Sequence, residues 1–171
     1  AGALDGGFVR VEALEGGRRD EAIRLATTAL EFSSQNADAH HLLARALSPR
    51  QEATGRVITH LEEALSLGGF QSTEEKQARV LLARTYLRTG QSDESLSLLE
   101  ELGAAESADA DLRYLAARAL QAAGNAEEAE TVARQGRDLF PEDARFMLFL
   151  LELDPIPGPR WGRLLDENVS S

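Results

Sequence analysis

Apolar residues recur at helical spacing along most of this chain. Between Asp20 and Phe32, the residues Ala22, Ile23, Ala26, Ala29 and Leu30 fall three and four apart, which puts them on one stripe of a helix. The strongest signal is a hexapeptide that returns as Leu42-Leu43-Ala44-Arg45-Ala46-Leu47, Leu81-Leu82-Ala83-Arg84-Thr85-Tyr86 and Leu115-Ala116-Ala117-Arg118-Ala119-Leu120. Its last two arginines stand 34 residues apart and its first two 39, a period of 34 interrupted by an insertion. Periods of this length mark arrays of stacked supersecondary units. The leucines and alanines therefore predict a helical stack, and the arginines are left for another role.

Breaks in the pattern divide the stack. Residues 1–7 are glycine-rich, and Phe8 to Leu14 is a short apolar-rich segment closed by Gly16-Gly17. Ser48-Pro49 should end a helix early, because proline lacks a donor and disfavours a helical residue before it. An added residue after Pro49 and a loop at Gly68-Gly69-Phe70 account for the longer spacing. Ser72-Thr73-Glu74-Glu75 reads as a capping box, and Asn125 with Glu128 as a similar helix start. Beyond Pro141, Ala144 to Leu153 begins another helix that Asp154-Pro155-Ile156-Pro157-Gly158-Pro159 stops. Trp161, Leu164, Leu165 and Val169 then share one helical face, which predicts a short helix covering the open end of the stack.

Several of these positions resemble the tetratricopeptide repeat. Gly17 with Ala22, Ile23 and Ala29 matches the second half of one repeat. Leu82, Ala83 and Tyr86, then Gly90, then Ser95, Leu99 and Leu102 match the first helix, turn and second helix of another. Ala116, Ala117, Leu120, Gly124, Ala129, Ala133, Gly136 and Pro141 match a further one. No tryptophan stands at the usual first-helix position, so the chain looks like a divergent bacterial member. The resemblance implies an all-α fold: a right-handed superhelical array of antiparallel helix hairpins with a C-terminal capping helix. Repeats are expected at about 3–36, 37–75, 76–109 and 110–143, a half repeat at 144–153 and the cap at 160–169, all in one domain.

Composition narrows the partners. The 171 residues carry a formal charge of −11 and form no dense basic cluster, so nucleic acid is not an expected ligand. There is no cysteine, which removes disulfides, thiol nucleophiles and sulfur-ligated metals. No apolar run reaches the roughly 20 residues of a membrane span, so no membrane insertion is expected. The abundant alanine, with Lys76 as the only lysine, points to a GC-rich bacterial genome. The missing initial Met and the ending at Ser170-Ser171 suggest a piece of a longer protein. The compartment is left open, with the balance toward periplasm or cell envelope.

No catalytic constellation emerges, and neither a cofactor nor a metal is expected. His40 and His41 point about 100° apart on a regular helix and cannot share one ion. His60 could approach one of them across a hairpin, but no HExxH-like motif accompanies them. The paired carboxylates Glu62-Glu63, Glu74-Glu75, Glu100-Glu101 and Glu127-Glu128 fall on polar faces or first helical turns, where solvation and the helix dipole explain them. The expected class is a non-catalytic protein-interaction or assembly module.

The resemblance also gives the arginines a place. In this family the second, fifth, ninth and twelfth positions of each first helix point into a concave groove. Arg45, Arg84 and Arg118 all take the ninth position, with His41, Gln77, Asp111, Tyr114 and Gln121 nearby. The expected ligand is an extended acidic segment, each arginine contributing a charge-assisted hydrogen bond of about 1.5–3 kcal/mol. The alternative is internal pairing, of Arg84 or Arg118 with an acid such as Asp111. A second alternative concerns the apolar run Phe146-Met147-Leu148-Phe149-Leu150-Leu151. Burial between the last full repeat and the Trp161 helix is expected, and otherwise Phe146, Phe149 and Trp161 would bind a second copy or an attached domain. In that case the chain would be an oligomerising part of a larger envelope or secreted protein.

Overall fold

The computed structural model describes residues 18–70 and 72–153, and the side chains of Ser72 and Thr73 are left aside. The segment Phe8–Leu14 and the proposed cap at 160–169, with Trp161, lie outside these residues. All regular structure among the described residues is helical. The chain divides between Leu102 and Gly103 into two compact units.

The first unit contains α1 (Arg19–Phe32), α2 (Ala37–Leu47), a 3₁₀ turn (Gln51–Ala53), α3 (Thr54–Leu67), α4 (Ser72–Thr89) and α5 (Ser92–Glu101). Each helix packs against the next in chain order. Its core is made of the apolar stripes: Ala22 and Ala26 of α1, Leu42, Leu43, Ala44, Ala46 and Leu47 of α2, Val57 and Leu61 of α3, and Ala78, Leu82 and Tyr86 of α4. The second unit opens with a 3₁₀ turn (Ala104–Glu106) and continues with α6 (Ala110–Ala122), α7 (Ala126–Leu139) and α8 (Ala144–Leu153).

Small residues mark where helices come closest. Ala44, Ala83 and Ala117 of the hexapeptides are fully buried, as are Ala64, Ser95 and Ala129 on the helices that follow. At Ser95 the approach is close enough for its hydroxyl to donate to the Ala83 carbonyl at 2.9 Å, joining α5 to the backbone of α4. The hairpin turns rest on glycine. Gly90 has φ +80°, with its amide donating to the Leu87 carbonyl and that of Gln91 to Tyr86. Gly124 (φ +88°) repeats the arrangement with Gln121, Asn125 and Leu120. This is the Schellman closure, which needs a left-handed residue that a side chain would strain.

Caps follow the sequence in part. α2 ends at Leu47, two residues before Pro49. Asn36 caps α2 by accepting from the Ala39 amide, and Asp109 caps α6 by accepting from Asp111 and Leu112. Asn125 was expected to cap α7, but its side chain makes no such bond; its amide closes the preceding turn instead.

The apolar α8 is buried on one face. Phe146 and Phe149 are 0% and 1% exposed, and Leu150 is buried beside them. Phe146 stacks on Phe140 at 6.0 Å, and its ring occupies the space that a side chain at Gly136 would need. Leu148 and Leu151 remain 58% and 44% exposed.

Candidate functional site

The three hexapeptides lie on α2, α4 and α6, the first helix of each hairpin. Their arginines meet different surroundings. In the first unit Arg45 is half-buried and Arg84 exposed. Among the described residues, neither guanidinium makes an ion pair or a side-chain hydrogen bond. Arg88, one turn beyond Arg84, donates to the Ser48 carbonyl at the end of α2.

The second unit is different. Arg118 pairs with Glu152 of α8 at 3.3 Å, both side chains about half-exposed. Glu152 lies 34 residues after Arg118, at the place where the period would put the next arginine. Asp111 was expected as a partner for the arginine ladder, but it binds Arg145 at 2.7 Å. Arg145 also grips Asp143 at 2.6 Å, and this pairing holds the Asp143 carboxyl below the usual carboxylate range and raises Arg145.

Tyr114, expected as an apolar groove wall, is half-buried against α8. Its ring sits edge-on to Phe146 at 5.8 Å and Phe149 at 6.1 Å, with the Arg145 guanidinium 5.2 Å from its centroid. Gln77 of α4 is exposed and Gln121 of α6 half-buried. His41, expected beside the groove, is only 5% exposed and packs edge-on against Phe70 at 5.6 Å. Phe146 and Phe149, the candidates for an interface, are buried in the core of their unit. No three His, Asp or Glu side chains converge as a metal site would require among the described residues, and no described helix is long and apolar enough to cross a membrane.

Comparison with known proteins agrees with this architecture. A family model described as anaphase-promoting complex, cyclosome, subunit 3 matches residues 56–135. The structure of MamA residues 41-end from Desulfovibrio magneticus superposes with a TM-score of 0.72 at 21% identity, covering 85% of this chain and 80% of that one. A second MamA crystal structure gives 0.69 at 15% identity, covering 90% and 84%. No curated protein matches the sequence. The chain shares the helical-repeat fold of these structures.

The tetratricopeptide register exposes a recurrence that sequence reasoning missed, although it allowed His60 to approach His40 or His41 across the hairpin. The motif places a tryptophan three residues before its first packing leucine. Here His40, Arg79 and Arg113 hold that position, each five residues before a ladder arginine and therefore at the same spacings of 39 and 34. Each reaches the second helix of its own hairpin. His40 Nδ1 meets His60 Nδ1 at 2.9 Å, Arg79 donates to Glu101 at 2.5 Å, and Arg113 donates to Gln135 at 3.2 Å. Arg79 also binds Glu75 at 2.9 Å, and the buried Arg113 donates to the Ser107 carbonyl. A polar clasp thus replaces the tryptophan in three successive hairpins. The recurrence of the spacing was visible in the sequence, but the change from His to Arg disguised it.

Proposed function

We propose that the chain is a non-catalytic protein-interaction module whose first unit holds an extended acidic segment at Arg45 and Arg84. The observation that carries this reading is the contrast between rungs. One period separates Arg118 from Glu152, and those side chains are close enough to pair. Arg45 and Arg84 stand one lengthened period apart at the same register, yet both are cations without a carboxylate among the described residues. A carboxylate from a ligand supplies the missing charge. Two charge-assisted bonds of about 1.5–3 kcal/mol each contribute about 3–6 kcal/mol, part of the roughly 8 kcal/mol of a micromolar ligand, and backbone and apolar contacts along the segment supply the rest.

Because the family groove takes extended segments, the ligand class is a peptide with acidic side chains or a free C-terminal carboxylate. The net charge of −11 makes local attraction depend on these two arginines, not on the overall field. Calorimetric titration with an extended glutamate-rich peptide tests the proposal. Arg45→Ala with Arg84→Ala is expected to weaken binding at least tenfold while Tm moves by no more than a few degrees, since arginines without an ion pair, one half-buried and one exposed, contribute little to folding. Absence of binding to the wild type, or equal binding by the double variant, contradicts it.

A second reading, that the chain joins copies or adjoining domains, draws on the exposed Leu148 and Leu151 of α8. Sedimentation equilibrium separates it from the first: a dimer that becomes monomeric on Leu148→Glu with Leu151→Glu supports it, and a monomeric wild type excludes self-association.

A further inference from the structure

We infer that the α2–α3 hairpin is an acid-sensitive element: the His40–His60 contact holds it closed at neutral pH and releases it when both rings are protonated. The geometry allows one proton between the rings. His40 Nε2 lies 3.0 Å from the Ser34 carbonyl, which can only accept, so this nitrogen carries a proton. His40 Nδ1 then accepts from His60 Nδ1–H at 2.9 Å while both rings are neutral. A first added proton is tolerated, because His40 as imidazolium donates to a His60 whose remaining proton has moved to Nε2. A second proton sets two N–H groups and two positive charges against each other across 2.9 Å.

The surroundings offer no relief. Burial is the largest influence on His60, followed by His40 from α2 and Arg56 from its own helix; all three lower its pKa, and no carboxylate is among them. Among the described residues, the α1–α2 turn contributes the Ser34 carbonyl to the ring of His40, and the charges that act on His60 are those of His40 and Arg56. Asp38 and His41 are two positions before and one after His40 on α2, so they project from other faces of the helix.

The sign follows from linkage. His60 binds its proton less readily in the folded hairpin than in the open chain, where an imidazole titrates near pH 6.5. The clasp is therefore fully effective above about pH 6.5 and is lost as pH falls below that value toward the lowered folded pKa. The other two clasps lack such a group. Arg113 with Gln135, and Arg79 with Glu75 and Glu101, contain no imidazole. Since α2 also carries Arg45, acid would loosen half of the proposed binding rung. That consequence rests on the groove reading, whereas the hairpin response does not.

Native-state hydrogen exchange without ligand, corrected for intrinsic rates, tests the inference at pH 7.5 and 5.5. The α2–α3 amides of the wild type are expected to lose several-fold protection, with a ceiling of roughly tenfold, relative to those of α4–α5 and α6–α7. His60→Gln, which keeps a hydrogen-bonding side chain but cannot titrate, should abolish this difference. Parallel loss in all three hairpins, or an unchanged loss in His60→Gln, overturns the inference. Should that variant not fold, ring titration of the wild type by NMR decides. Two separated steps with the second below pH 6.5 support the clasp, and a single ordinary transition for both rings overturns it.

Discussion

The two compact units carry the same helical register but finish it differently. In the first, the ninth-position residues are Arg45 and Arg84, and neither has a partner among the described residues. In the second, Arg118 meets Glu152 one period later and the charge is closed internally. The cores differ in the same sense. The first unit packs mainly aliphatic and small side chains, whereas the second relies on Phe146 and Phe149 against Tyr114 and Phe140. A repeat can thus preserve its packing positions and still change its surface chemistry by one substitution, because the ninth residue contributes little to the core.

The largest effect in this comparison is expected at the aromatic core. Phe146→Ala should destabilise the second unit by about 3–5 kcal/mol, since a fully buried ring is replaced by a cavity. Chemical denaturation read by the Tyr114 signal checks this, and hydrogen exchange in α2–α4 should change much less. Next comes Ser95→Ala in the first unit. Loss of its buried bond to the Ala83 carbonyl should cost about 1 kcal/mol, visible as a lower denaturation midpoint with unchanged slope. A loss several times larger would mean that α4 and α5 separate when this bond is removed. The smallest effect belongs to the closed rung. Arg118→Ala should change stability by less than about 0.5 kcal/mol, because the pair is exposed on both sides.

Much of the fold was legible in the sequence. Alanine at positions 44, 83 and 117 and the glycines at 90 and 124 serve close approach and left-handed turns, and these demands admit few residue types. The site was harder to read. Whether an arginine is free depends on what the neighbouring repeat places opposite it, and Glu152 answers that only when the period is carried into the half repeat. His41 holds a groove position by register, and only the structure shows that the irregular Gly68-Gly69-Phe70 loop brings a ring over it. The clasp positions share a spacing without sharing a residue type, so identity hid them where geometry did not.

The difference between an open and a closed rung can be tested by converting one into the other. Arg84→Glu places a carboxylate one period from Arg45, as Glu152 stands to Arg118. The affinity of an extended glutamate-rich peptide, measured for the wild type and for this variant alongside Tm, is the most direct measurement. The account predicts at least a tenfold loss of affinity with Tm unchanged or slightly raised, as an exposed ion pair worth about 0.2–1 kcal/mol forms within the unit. Retained affinity in the variant, or no affinity in the wild type, would contradict it.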